Sequence, residues 1–95
     1  MSFLESGLLE IFCRYFDKKV NRHKTYDDFL LYLKKEYEGS SHYERRDIVS
    51  LGWNLNRNGV LIAKKINVNG KIGVDRKINR EVLKSKYKID ISDEG

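Results

Sequence analysis

Side chains that recognise phosphates and nucleobases recur at helical spacing in the middle of the chain. Arg46, Ser50, Trp53 and Arg57 lie three or four residues apart, so on a helix they form one stripe, with Asn54 beside it. Guanidinium groups bind phosphate or guanine through two hydrogen bonds, and amide side chains pair with adenine in the same way. The spacing therefore predicts a polar helix face whose chemistry suits nucleic acid.

Positive charge is concentrated in the same part of the chain. Residues 1–40 carry seven basic and seven acidic side chains, whereas residues 41–88 carry twelve basic and four acidic ones. The net charge of the 95-residue chain is +5. A basic patch on one part of a small domain is the electrostatic footprint expected for a partner rich in phosphate. A solvated surface that only confers solubility is the alternative explanation.

The other reactive side chains do not combine into a catalytic or metal-binding pattern. His23 and His42 lack a second ligand at helical spacing, and Cys13 lies in an apolar segment with only Arg14 as a basic neighbour. We therefore expect a buried, inert thiol at Cys13. No catalytic residue, metal or cofactor is predicted, and a single cysteine excludes an internal disulfide.

Two apolar helices are predicted before the basic region. The first covers residues 2–19, and its apolar face consists of Leu4, Leu8, Ile11, Phe12, Tyr15 and Phe16. Thr25 followed by Asp28 has the form of a capping box that opens a second helix, and Gly39 is expected to end it.

A third helix carries the polar stripe. Ser41 and Glu44 repeat the capping-box pattern, which predicts a helix over residues 42–58 that closes at Gly59. Its inner side is formed by Ile48, Leu51, Gly52 and Leu55, where the glycine allows a neighbouring helix to approach closely. His42 and Tyr43 fall on the outer side with the stripe. We expect Trp53 to pack against its neighbours, because a large aromatic side chain is more often packed than exposed.

A hairpin and a C-terminal segment follow. An Asn-Gly pair at residues 69–70 predicts a hairpin over residues 60–78. A three-residue loop over residues 68–70 sets Ile66 opposite Ile72 and keeps the apolar side chains together, so we favour it over a two-residue turn. It also sets Lys64 opposite Val74. Beyond the hairpin, Asn79 is expected to cap a short helix, and the alternation of Tyr87, Ile89 and Ile91 is the pattern of an edge strand instead.

This order of elements, in one domain over residues 1–95, resembles the winged-helix family. The similarity covers residues 26–78, and the run from Ile48 through Gly52, Leu55 and Gly59 to Leu61 resembles the end of a recognition helix and the first wing strand. The resemblance implies an α+β winged-helix fold and a transcriptional regulator that binds double-stranded DNA. It further implies that residues 42–57 enter the major groove and residues 60–78 lie along the backbone.

The resemblance also implies roles for individual side chains. Arg46 and Asn54 would contact base edges, while Ser50 and Arg57 would hold bases or phosphates. The complete expected set for nucleic-acid binding is Arg45, Arg46, Ser50, Asn54, Arg57, Lys64, Lys65, Lys71, Arg76 and Lys77.

Residues 29–62 also resemble DEP-type domains, which share the fold and bind proteins or membrane surfaces. In this alternative, the basic hairpin meets acidic headgroups or an acidic partner, such as a host protein captured by a phage or plasmid protein, and Trp53 is an anchor. We expect no membrane span, a cytoplasmic location, and a homodimer contact formed by Leu9, Cys13 and Phe16 of the first helix.

Overall fold

The computed structural model describes residues 3–91, with side chains from residue 7 onward. In chain order these residues form α1 (Phe3–Asp17), a 3₁₀ helix (Lys19–Asn21), α2 (Tyr26–Glu36), α3 (Arg45–Arg57), β1 (Leu61–Val68), β2 (Lys71–Ile78) and α4 (Arg80–Tyr87). The α+β class is confirmed, with four α-helices and a two-stranded antiparallel hairpin in this part of the chain. The side chain of Leu4 and the expected helix start at residue 2 lie outside the described residues.

An aromatic cluster joins α1 to α2 at the centre of the core. Phe12, Phe16 and Phe29 have no exposed surface, and the ring centroid of Phe12 lies 4.8 Å from that of Phe16 and 5.3 Å from that of Phe29. Cys13 is also fully buried, as expected. The expected dimer surface is wrong, because Cys13 and Phe16 lie inside the core and Leu9 packs against it.

The predicted capping box at the start of α2 is confirmed. The backbone N–H of Asp28 donates to Oγ1 of Thr25 at 3.1 Å, and the N–H of Thr25 donates to the Asp28 carboxylate at 2.9 Å. The helix ends at Glu36, before Gly39, which takes a positive φ of 85° in the following turn. The carbonyl oxygen of Leu33 accepts the N–H of Tyr37 at 3.0 Å, and the buried hydroxyl of Ser40 lies 3.0 Å from the same oxygen as a second donor.

The predicted start of α3 is wrong by three residues. Glu44, not Ser41, is the N-cap, and its backbone N–H donates to the carboxylate of Asp47 at 2.8 Å. Tyr43 is buried, and its N–H donates to the carbonyl oxygen of Ser40, which holds the preceding residues in a turn. Tyr43 is therefore part of the core and not of the outer side of α3. Its burial holds the preceding residues in a turn, although the capping pattern at Ser41 predicts helix there.

The inner side of α3 packs as predicted. Ile48, Gly52 and Leu55 are buried, and a Cβ atom placed on Gly52 would lie 2.8 Å from Cζ of Tyr26 in α2. Glycine therefore leaves the space that the ring of Tyr26 occupies against α3. The helix ends at Arg57, and Gly59 follows with a positive φ of 81°, which confirms the expected stop.

The hairpin has a two-residue turn, so the predicted three-residue loop is wrong. Ile66 pairs with Gly73 rather than with Ile72, and Lys64 pairs with Asp75 rather than with Val74. Residues 69 and 70 have φ values of 53° and 81°, and this left-handed turn matches the twist of the strands. The expected register depended on a buried apolar face. In the structure, the hairpin is buried at the end where Leu61 pairs with Ile78, whereas Ile72 near the turn is 81% exposed. No buried face therefore aligns Ile66 with Ile72.

The segment after the hairpin is a helix. The side chain of Asn79 accepts a hydrogen bond from the N–H of Val82 at 3.2 Å, so the predicted cap of α4 is confirmed. Leu83 and Ile91 are buried in the core, and residues 88–91 form no strand, which contradicts the edge-strand alternative. No helix within residues 3–91 has the length and apolarity needed to cross a bilayer.

Candidate nucleic-acid interface

The side of α3 opposite the core carries the predicted helix residues. Because Ile48, Gly52 and Leu55 face inward, Ser50, Trp53 and Asn54 are exposed, while Val49 and Leu51 are half-buried. We call this surface the outer face of α3; it consists of Arg45, Arg46, Ser50, Trp53, Asn54 and Arg57, which together with Val49 line a shallow concavity. The five helix residues expected to bind nucleic acid therefore lie on one surface.

Two of the arginines on this face are held by exposed carboxylates. Nε of Arg45 lies 3.2 Å from Oδ1 of Asp27, and Nε of Arg46 lies 3.2 Å from Oε1 of Glu44. All four side chains are more than half exposed, so each pair contributes little to stability and is screened by salt. Both guanidinium groups can exchange a carboxylate for a phosphate at low cost.

Trp53 is exposed, so the expectation that it packs is wrong. Its side chain retains 66% of its accessible surface. Gly52, one position earlier, is the residue that faces α2, and Tyr26 fills the space at that contact. Within residues 7–91, no aromatic ring packs against Trp53. An exposed tryptophan thus stands among the polar residues of the outer face.

The hairpin separates the predicted lysines onto two faces. Cross-strand partners share a face, and the register places Lys64, Lys71 and Lys77 on one side and Lys65 on the other. The side of Lys65 is also that of Ala63, which borders a groove between α3 and β1. Lys65 is therefore the hairpin lysine that shares a side with α3.

Arg76 packs against α2 and the segment before it, so it is not part of the exposed surface formed by the lysines. Its guanidinium carbon lies 4.0 Å from the ring centroid of Tyr26, and its Nη1 donates to the carbonyl oxygen of Lys24 at 3.0 Å. Its backbone N–H donates to the carbonyl oxygen of Arg22 at 2.9 Å. These contacts attach β2 to the connection between α1 and α2.

The same connection neutralises the one acidic side chain of the hairpin. Nη2 of Arg22 lies 2.6 Å from a carboxylate oxygen of Asp75, and Nε2 of His23 lies 3.3 Å from the other. The carboxylate is only 16% exposed. Its charge is therefore balanced locally, and the exposed lysines determine the sign of the hairpin surface.

The thiol of Cys13 lies away from the surface. Burial raises the pKa of the Cys13 thiol to about 12, and the negative charges of Asp17 and Glu10 add to the shift. The thiol therefore stays protonated at neutral pH. Within the part of the chain that the structure describes, no three His, Cys, Asp or Glu side chains come together as a metal site would require.

Comparison of the chain with known protein families, curated proteins and solved structures gives no match. The groove beside Trp53 is the feature that sequence reasoning missed. Its signal was the small side chain at Gly52 next to a tryptophan, together with Ala63 in the facing strand.

Proposed function

We propose that the protein is a winged-helix regulator that binds duplex DNA through the outer face of α3, with the hairpin as the wing. The observation that carries the proposal is the gathering of Arg45, Arg46, Ser50, Asn54 and Arg57 on one exposed face of a 13-residue helix. A helix of this kind fits the major groove, where arginine and asparagine side chains distinguish base pairs.

The arrangement of the elements supports the winged-helix assignment. The order of three helices, a hairpin and a further helix agrees with the family pattern. Winged-helix domains also carry a strand between the first two helices. Here the corresponding segment contributes one backbone hydrogen bond, from the N–H of Arg76 to the carbonyl oxygen of Arg22, at the free edge of β2.

The exposed side chains have different roles in this proposal. Arg46 and Asn54 contact base edges, because they lie about two turns apart on the exposed face. Ser50 and Arg57 hold bases or phosphates. Lys65 contacts a phosphate beside α3, whereas the lysines on the opposite side of the hairpin contribute mainly long-range attraction.

Fluorescence anisotropy of a labelled duplex at several salt concentrations tests this function. Removing one phosphate-binding side chain lowers the slope of log affinity against log salt by about 0.9. We expect the combined Arg46→Ala, Arg57→Ala and Lys65→Ala variant to bind at least about tenfold more weakly and to reduce the slope by about 0.9 to 1.8, because Lys65 contacts a phosphate, Arg57 a base or a phosphate, and Arg46 a base edge.

The matched control removes the same charge from the other side of the hairpin, through Lys64→Ala, Lys71→Ala and Lys77→Ala. We expect this control to retain most of the affinity and most of the slope, because only long-range attraction is removed. Equal losses in both variants would mean that binding follows net charge alone. Absence of duplex binding at low salt in the unmodified protein would reject the function.

Exposed apolar side chains favour a second candidate, an anionic membrane surface. Trp53 is 66% exposed, and Ile72 near the hairpin turn is 81% exposed. Aromatic and apolar side chains flanked by lysines are typical of contacts with acidic headgroups. Co-sedimentation with phosphatidylcholine vesicles, with and without phosphatidylserine, tests it. Retention that requires phosphatidylserine, without duplex binding, would favour this candidate over DNA.

A further inference from the structure

A groove of about 310 Å³ lies between α3 and β1, beside the outer face of α3. Val49 and Trp53 line it from α3, and Ala63 lines it from β1. Tyr26 of α2 and Arg76 of β2 are also among the lining residues. The size is at the lower end of the range for sites that hold small organic ligands, roughly 300–1,000 Å³. The groove therefore has room for one flat ring but not for a folded segment of chain.

Trp53 connects this groove to the polar surface of the helix. Its side chain lines both the groove and the shallow concavity that contains Arg46 and Arg57. Within residues 7–91 no aromatic ring covers it. A ligand stacked on Trp53 would thus lie next to cationic side chains, which is the arrangement that recognises a base and its phosphate together.

Arg76 adds a polar group at the inner side of the groove. Its guanidinium stacks on Tyr26, and its Nε is buried without a hydrogen-bond partner among the described residues. Nucleobases present carbonyl oxygens and ring nitrogens along their edges, so a base in the groove brings such acceptors close to this arginine.

We propose that the groove between α3 and β1 receives one unstacked nucleobase, with Trp53 as its stacking surface. The proposal rests on the function proposed above and narrows it, since the preferred ligand is nucleic acid in which a base is unpaired. An unpaired base is available in a single strand or at a bulge in a duplex. In both cases the unstacking cost that a paired base imposes is reduced.

Binding of three labelled DNAs that share one sequence tests this inference: a fully paired duplex, the same duplex with a one-nucleotide bulge, and the single strand. The chain contains one tryptophan, so its fluorescence reports on position 53 directly. We expect the bulged duplex to bind about 5- to 150-fold more tightly than the paired duplex, the range that stacking of one base provides. Tryptophan quenching should be stronger on binding of the bulged duplex than on binding of the paired one, because only an unpaired base can stack on the ring.

Three variants and one control connect the preference for the bulge to the groove. Trp53→Ala should abolish the preference for the bulge, whereas Trp53→Phe should retain part of it because a phenyl ring still stacks. Ala63→Leu should lower the preference by filling the groove from the β1 side while Trp53 remains. Leu31→Ala removes a side chain of similar exposure, 70%, from α2 and should change nothing.

The outcomes separate the inference from the function on which it rests. Equal affinity for the bulged and paired duplexes would overturn the inference and leave duplex binding intact. Tighter binding of the single strand than of the bulged duplex, abolished in Trp53→Ala, would support the inference with a single strand as the source of the base. Binding of none of the three DNAs would overturn both proposals.

Discussion

The aromatic residues of α1 and α2 and the tryptophan of α3 lie in opposite environments. Phe12, Phe16 and Phe29 have no exposed surface, whereas Trp53 keeps 66% of its surface exposed. Charge follows the same division, because residues 1–40 are neutral and residues 41–88 carry eight more basic than acidic side chains. The first half of the chain thus supplies the aromatic part of the core, whereas the outer face of α3 presents its aromatic side chain to solvent.

The largest expected effect comes from truncating the aromatic core. Phe29→Ala should lower the free energy of unfolding by about 3–5 kcal/mol, because it removes packing and leaves a cavity. Trp53→Ala should change it by no more than about 0.5 kcal/mol, as is usual for an exposed side chain. Urea denaturation followed by circular dichroism measures both. A loss of more than about 1 kcal/mol in Trp53→Ala would show that this side chain packs in solution.

The second effect concerns the contact between α2 and α3. Gly52→Ala should destabilise the protein by about 1–3 kcal/mol, since the added Cβ would meet the ring of Tyr26 and force that side chain out of its packed position. Gly7→Ala in α1 is the matched control. Nothing lies within 4 Å of that position, so alanine should stabilise the helix by up to about 1 kcal/mol. The same substitution is thus expected to have opposite signs at the two sites, and equal signs in thermal unfolding would contradict the close contact.

A smaller effect distinguishes the two capping signals. Thr25→Ala should cost about 1 kcal/mol, because its hydroxyl accepts a hydrogen bond from the N–H of Asp28. Ser41→Ala should be close to neutral, since Glu44 is the N-cap of α3. Chemical denaturation of both variants under identical conditions provides the measurement. A larger loss for Ser41→Ala than for Thr25→Ala would mean that α3 begins earlier than its hydrogen bonds indicate.

The smallest expected effect is on acid stability. Hydrogen bonds from the backbone and side chain of Thr25 hold the pKa of Asp28 below its ordinary value of 3.8. A depressed pKa means that the folded state binds the proton less readily than the unfolded state. The contribution of Asp28 is therefore present above pH 3.8 and is lost as the pH falls through the lower, folded-state pKa. Asp28→Asn should show a flatter acid limb in unfolding curves, and an unchanged acid limb would contradict this linkage.

Local patterns were enough to predict much of the fold. The Thr25 capping box, the stop at Gly59 and the Asn79 cap each depend on contacts within a few residues, and all three are confirmed. The inner side of α3 was also predictable, because a 13-residue helix with one buried side has a clear apolar period. The outer face of α3 then follows as the complement of that buried side.

The features that the sequence did not reveal depend on distant partners. Tyr43 moves the start of α3 because it is buried in the core, and the capping pattern at Ser41 contains no information about that burial. Trp53 is exposed because Tyr26, in the preceding helix, fills the space beside Gly52. The guanidinium of Arg76 stacks on the same tyrosine and so does not contribute to the exposed surface of the hairpin. None of these contacts has a local signature.

The most direct test of the contrast between the aromatic core and the outer face of α3 is a titration with duplex DNA, followed by the ¹⁵N NMR shifts of the backbone amides. We expect the largest shifts in α3 and along β1 near Lys65, while the amides around Phe12 and Phe29 in the aromatic core remain unchanged. Shifts centred on α1 or α2, or no shifts at low salt, would contradict the assignment of binding to the outer face of α3.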